Sequence, residues 1–243
     1  MPDARSLQLA LHVHKDIAGM VAQTAALLAQ RCQEAVAARG VCRLAISGGS
    51  TPVALFRLLA TQPWANTLPW DKMAFYWVDE RCVPPDNAQS NFGVAHRELL
   101  AHVPAQYSRM HGELDPAEAA SLYEEELRSA FALAPGELPR FDFILLGMGP
   151  DGHTASLFPG TPALDERQRL VASQFVPAVQ SHRITLTLPV LNNARCCLFL
   201  VAGAEKRPVL TQALRLLDEP TLPAQMVRPT AGELIWIVDE AAD

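Results

Sequence analysis

The segment FDFILLGMGPDGHTASLFPG, residues 141–160, decides how the rest of the chain is read. Residues 143–146 form an unbroken apolar run closed by Gly147. A strand buried on both faces of a parallel sheet has this pattern, because it has no solvent face on which polar residues can alternate. Gly147, Gly149, Pro150, Asp151 and Gly152 then supply too many turn formers for the strand to continue or for a helix to begin before Thr154. A tight turn is predicted to lift Asp151 and His153 out of the carboxyl end of a central strand, where open α/β sheets bind their ligands.

Towards the amino terminus, residues 41–46 read as another strand running directly into SGGSTP at 47–52. Gly48 and Gly49 let the backbone approach a ligand, Ser50 or Thr51 can cap, and Pro52 suits the first turn of a helix continuing to Leu59. The segment reads equally as a tight turn or as a phosphate cradle built from backbone N–H groups, since a Walker A lysine and GxGxxG spacing are both missing. Residues 73–78 form a third strand that leads into Asp79, Glu80 and Arg81, expected as a charged loop. Those three are either a surface cluster or site residues on the carboxyl edge. Ser90 and Asn91 cap a helix running towards His102, and Asp115 with Pro116 opens another helix whose Glu124, Glu125 and Glu126 are expected on a solvated face.

The chain opens with Leu7, Leu9, Leu11 and Val13 alternating with other residues, which predicts a strand burying that face. His12 and His14 would then be surface histidines on the other face. A long amphipathic helix over 16–39 follows, closed by Gly40. Beyond residue 160, strands are predicted at 170–176, 183–188, 196–201 and 234–238. Arg183, opening the second of these, is either an exposed strand-end cation or a ligand. A helix from the Gly203 turn to Leu217 carries Lys206 in its first turn, where a cation opposes the helix dipole unless an anion sits there. The order of elements predicts one α/β domain over 1–243, a mostly parallel open sheet flanked by helices.

Composition limits the function classes. The hydrophobic fraction of 49% with 19% charged residues is ordinary for a globular chain. Lys plus Arg number 20 against 26 Asp plus Glu, a net charge of -6, which supplies no broad basic face for nucleic acid or an anionic membrane. An anionic ligand would need locally placed cations. Arg81, Lys206, Arg183 and the N–H groups of Gly48, Gly49, Ser50 and Thr51 would suit a phosphate dianion. His153 is the natural proton carrier beside it, with Asp151 fixing its tautomer. Neither a GxSxG elbow nor HExxH or clustered Cys/His ligands occur, so activated water is the expected nucleophile and no metal is implied. Five cysteines without paired spacing, a short His-interrupted apolar start and no run of bilayer length predict reduced thiols in a cytoplasmic protein.

These residues resemble the 6-phosphogluconolactonases, which are related in fold to glucosamine-6-phosphate deaminases and ribose-5-phosphate isomerases, the NagB/RpiA-like or modified Rossmann arrangement. The resemblance covers SGGSTP at 47–52, WVDERCVPPDNAQSN at 77–91, GMGPDGHTASLFPG at 147–160, RITLTLPVLNNA at 183–194 and GAEKR at 203–207. It implies cofactor-free hydrolysis of 6-phospho-D-glucono-1,5-lactone, with His153 as base. Phosphate contacts would come from Gly48, Gly49, Ser50, Thr51, Arg81, Lys206 and Arg183, and the pocket would include Asp79, Gly149 and Gly152. The oxyanion is expected to meet N–H groups of the glycine-rich turns. Deaminases of similar sequence carry an acid five positions after the histidine, where this chain has Phe158, which favours lactone hydrolysis. The alternatives are a glucosamine-6-phosphate deaminase or isomerase, and a non-catalytic sugar-phosphate sensor.

Overall fold

The computed structural model describes residues 8–215, 217 and 219–243. Among the described residues ten strands form two sheets: β1 Gln8–His14, β2 Cys42–Ile46, β3 Met73–Trp77, β4 Asp79–Arg81, β5 Gln106–Tyr107, β6 Phe143–Leu146, β7 Val171–Val176, β8 Ser181–Leu186, β9 Cys196–Val201 and β10 Glu233–Asp239. Seven make a parallel sheet in the order β1-β10-β9-β6-β2-β3-β5, and three an antiparallel sheet in the order β4-β8-β7. The sheet is the mostly parallel α/β layer that the sequence predicts, with helices on its faces.

Two apolar clusters sandwich the parallel sheet, and alternation along each strand assigns residues to one or the other. Ile144 and Leu146 of β6 enter the first cluster with Phe199 and Trp236. Phe143 and Leu145 enter the second, beneath the helices α1 Ile17–Arg39 and α2 Ser50–Leu59. All four β6 side chains are therefore buried, which is why the strand has no polar position. Asp16 caps α1 by accepting from Gly19 N–H at 2.9 Å, and Gly40 ends it in the left-handed region at φ 74°.

Several expectations need correction. Asp79–Arg81 is not a loop: at Val78, which donates to Ile46 O and accepts from Leu186 N–H, the chain leaves the parallel sheet and enters the antiparallel one as β4. Leu11 and Val13 are about two-fifths exposed, because among the described residues β1 is an edge strand paired only with β10; Leu7 lies outside the described residues. Glu124 does not face solvent, since it accepts from Leu170 N–H at 3.1 Å and Arg128 at 2.8 Å, tying its helix to the start of β7. The helix after Ser90 stops at Glu98, with a 3-10 turn at Leu100–His102. Leu188 opens a short helix instead of ending β8, and the helix carrying the Lys206 segment ends at Ala213. All five cysteines are free thiols. Among the described residues no helix is long and apolar enough to cross a membrane.

Candidate active site

The carboxyl ends of β2, β6 and β9 open into one cavity of about 330 Å³. Its wall carries Gly48, Gly49, Ser50, Thr51, Asp79, Arg81, Gly149, His153 and Lys206, so residues up to 158 positions apart in the chain converge on it. Asp151, Gly152 and Arg183 lie outside the wall.

At one end stands the amino terminus of α2. Gly49 occupies the cap position at φ 113°, which L side chains rarely adopt, and among the described residues no side chain caps the helix. The first-turn N–H groups thus face the cavity with the positive end of the helix dipole. Gly48 is required by contact: a Cβ there would lie 1.8 Å from Asn91 Oδ1. Lys206 ends a 3-10 turn at Ala204–Lys206 that is anchored where Gly203 N–H donates to Asp239 at 3.0 Å. Arg81 reaches the wall from β4. Arg183 stands directly across from it in the β4–β8 register, but its guanidinium folds back to Ser181 Oγ at 2.5 Å and His182 O at 3.1 Å. Burial, with Arg81 close by, pushes Arg183 below the ordinary arginine range.

The other end is the turn after β6. His153 Nδ1 and Asp151 Oδ1 are 2.5 Å apart, and Asp151 also accepts from His153 N–H at 3.2 Å. Burial pushes the Asp151 carboxyl up, but the His153 charge and hydrogen bonds outweigh it, so the carboxyl is held below its ordinary range. Gly149 N–H donates to His153 O at 2.9 Å, Gly152 N–H to Gly149 O at 3.0 Å, and Thr154 Oγ1 to Gly147 O at 2.9 Å. The N–H groups of Gly149, Gly152 and His153 are therefore committed inside the turn. This turn is a mount for the imidazole, and these three amides are not free to serve as oxyanion donors.

The two buried acids of β4 divide their work. Glu80 accepts from the N–H groups of Arg81, Asn91 and Phe92 at 2.7–2.8 Å and from Ser90 Oγ at 3.1 Å, so it ties the helix Asn91–Glu98 to β4; burial nonetheless pushes its carboxyl up. Asp79 faces the cavity, accepting from Ser156 Oγ at 2.7 Å and Asn91 Nδ2 at 3.2 Å. Sequence reasoning missed Asn91, Ser47 and Glu205 on the wall. The sequence marks Asn91 only as a cap, whereas it is Ser90 Oγ that accepts from Gly93 N–H at 3.0 Å, leaving the Asn91 amide to donate to Asp79 O at 2.9 Å with its oxygen beside Gly48. Ser47 Oγ and Asn91 Oδ1 have no hydrogen-bond partner among the described residues. No group of three or more His, Cys, Asp or Glu side chains among them is arranged to hold a metal ion.

A family model described as glucosamine-6-phosphate isomerases/6-phosphogluconolactonase matches residues 15–236. The 6-phosphogluconolactonase of Nostoc sp. is 39% identical over 237 residues, covering 96% of each chain. That of Homo sapiens is 42% identical over 228 residues, covering 91% of this chain and 87% of the human one. The solved structure of 6-phosphogluconolactonase from Trypanosoma brucei superposes with a TM-score of 0.88 at 26% identity, covering 98% of each chain.

Proposed function

We propose that this chain, which belongs to the family of glucosamine-6-phosphate isomerases and 6-phosphogluconolactonases, is a 6-phosphogluconolactonase, a hydrolase that opens 6-phospho-D-glucono-1,5-lactone to 6-phospho-D-gluconate in the oxidative pentose phosphate pathway. The observation that carries the reading is a single cavity with an uncapped helix amino terminus, Arg81 and Lys206 on the same wall as the Asp151-held His153.

In this reading the phosphate is gripped by the N–H groups of Gly48, Gly49, Ser50 and Thr51 together with Arg81 and Lys206, with Arg183 adding charge from behind Arg81. Such a grip orients the lactone, converting remote binding energy into alignment at C1. Asp151 occupies Nδ1 and leaves Nε2 of His153 to accept a proton as water attacks C1. The new C–O bond pushes the carbonyl pair onto oxygen. When that pair returns, the bond from C1 to the ring oxygen breaks, and the imidazolium proton passes to the departing alkoxide. Asp79 lines the pocket as a hydrogen-bonding wall. The reaction so read calls for no cofactor. Its partner is a small phosphorylated sugar lactone and neither nucleic acid nor a membrane, its setting is the cytoplasm, and the chain works as one domain over 1–243.

The test is freshly generated lactone coupled to 6-phosphogluconate dehydrogenase, with His153→Ala beside the wild type. The variant should lose at least about 100-fold in kcat; near-normal turnover would sink the assignment of the base. Ammonia release from glucosamine 6-phosphate would instead mark a deaminase. Protection from thermal unfolding by the phosphorylated ligand without turnover would mark a sensor.

A further inference from the structure

We propose that Phe158 is a positioning residue for His153: its ring is the flat wall that holds the imidazole at the tilt needed for proton transfer. The two rings stack with centroids 4.0 Å apart and an interplanar angle of 20°. Phe158 is itself buried, and its carbonyl is pinned by Thr161 Oγ1 at 2.8 Å and Thr161 N–H at 3.2 Å. The ring therefore belongs to the scaffold, not to a mobile surface.

The imidazole has few freedoms left. Asp151 Oδ1 at 2.5 Å fixes the Nδ1 edge. Residue 149 excludes any side chain, since a Cβ there would lie 2.0 Å from Nδ1. One hydrogen bond still lets a planar ring rock about the bond axis, and a face packed at stacking distance removes that motion. Phenylalanine also brings no proton donor or acceptor to the imidazole face. The ring then exchanges its proton only through Asp151 and the cavity. This inference rests on His153 being the base, and it adds that the base works because its orientation is set in advance.

The test combines kinetics with a spectroscopic signature. Phe158→Leu keeps apolar bulk but loses the flat face. It should lower kcat by about 10–100-fold with KM within about two- to three-fold, because misplacement of a reacting group by about 1 Å is enough for such a loss. Phe158→Tyr, which keeps the face, should recover kcat to within a few-fold; Phe158→Met serves as the second variant if Phe158→Leu fails to fold. By NMR, the His153 ring protons of the wild type should be shifted upfield by the Phe158 ring current, and this shift should vanish in Phe158→Leu. Wild-type kcat in a folded Phe158→Leu, or no upfield shift in the wild type, overturns the inference. If His153→Ala keeps normal turnover, the base assignment falls and this inference with it. If only Phe158→Leu does so, this inference falls alone.

Discussion

At the amino edge of the parallel sheet, a pocket of about 280 Å³ is lined by Arg31, Arg39, Asp142, Arg195 and Glu233 among others. Each of its three acids is engaged there: Asp142 by Arg39 at 2.7 Å and Arg195 at 3.3 Å, Glu233 by Arg31 at 2.7 Å and Glu34 by Arg31 at 2.8 Å. At the carboxyl edge, the cavity has similar size and similar charge, but Arg81 and Lys206 on its wall, and Arg183 outside it, take part in no ion pair among the described residues. The α2 amino terminus beside them is uncapped. Charge is thus spent on the fold at one edge and held in reserve for an anion at the other. A cavity full of charged residues is not by itself a site; what distinguishes the functional edge is incomplete satisfaction.

The largest expected effect breaks the paired edge. Asp142 is almost fully buried and also accepts from Arg43 N–H at 2.9 Å. Asp142→Ala removes that acceptor and the partner of two guanidinium groups, at a cost of about 3 kcal/mol. Denaturant titration should show a lower midpoint at an unchanged slope, with kcat/KM of the folded protein unaltered. A fall in kcat/KM at preserved stability would mean that the two edges are not separate in function.

The next effect is smaller and opposite in kind. Lys206 stands at the start of the helix Arg207–Ala213, where its charge opposes the helix dipole. Lys206→Ala should raise KM for the phosphorylated lactone by about 10–100-fold, the worth of one charge-assisted contact, while kcat stays within a few-fold. Its thermal midpoint should stay level or rise slightly. A loss of stability without a change in KM would place Lys206 in the scaffold.

Much of this contrast was legible in the sequence, and the reason is local. The unbroken apolar run at 143–146 could only be a doubly covered strand, and the glycines after it could only turn. The strand-then-glycine pattern at 42–49 placed the α2 amino terminus in the same way. Parallel connection then brings such turns to one edge whatever lies between them. What was not legible depends on partners distant in sequence. Asp79–Arg81 looked like a charged loop because three residues carry no periodicity, and only pairing with β8 makes them a strand. Glu124 looked solvated because, beyond Arg128 one turn along its own helix, its partners Leu170 and Arg169 arrive from 45 or more positions away. Leu11 and Val13 alternate as a buried strand should, yet alternation does not reveal that a strand lies at an edge. Asn91 was hidden behind Ser90, since either residue type caps a helix.

The smallest expected effect concerns pH, and it sharpens the contrast between the edges. Asp151 belongs to the reserve edge, yet the adjacent imidazole holds its carboxyl below the ordinary range despite burial. A carboxyl whose folded value lies below its unfolded one contributes stability that is complete above the ordinary range, near pH 4, and is lost as pH falls through the folded value. The side chain is 41% exposed, so screening by water keeps this contribution below about 1 kcal/mol. Asp151→Asn should therefore flatten the fall in unfolding free energy only slightly below about pH 4, while lowering kcat near neutrality by freeing the His153 tautomer. If Asp151→Asn instead removed most of the acid sensitivity, the His153–Asp151 pair would be holding the fold together, and the carboxyl edge would be using its charges as the amino edge does.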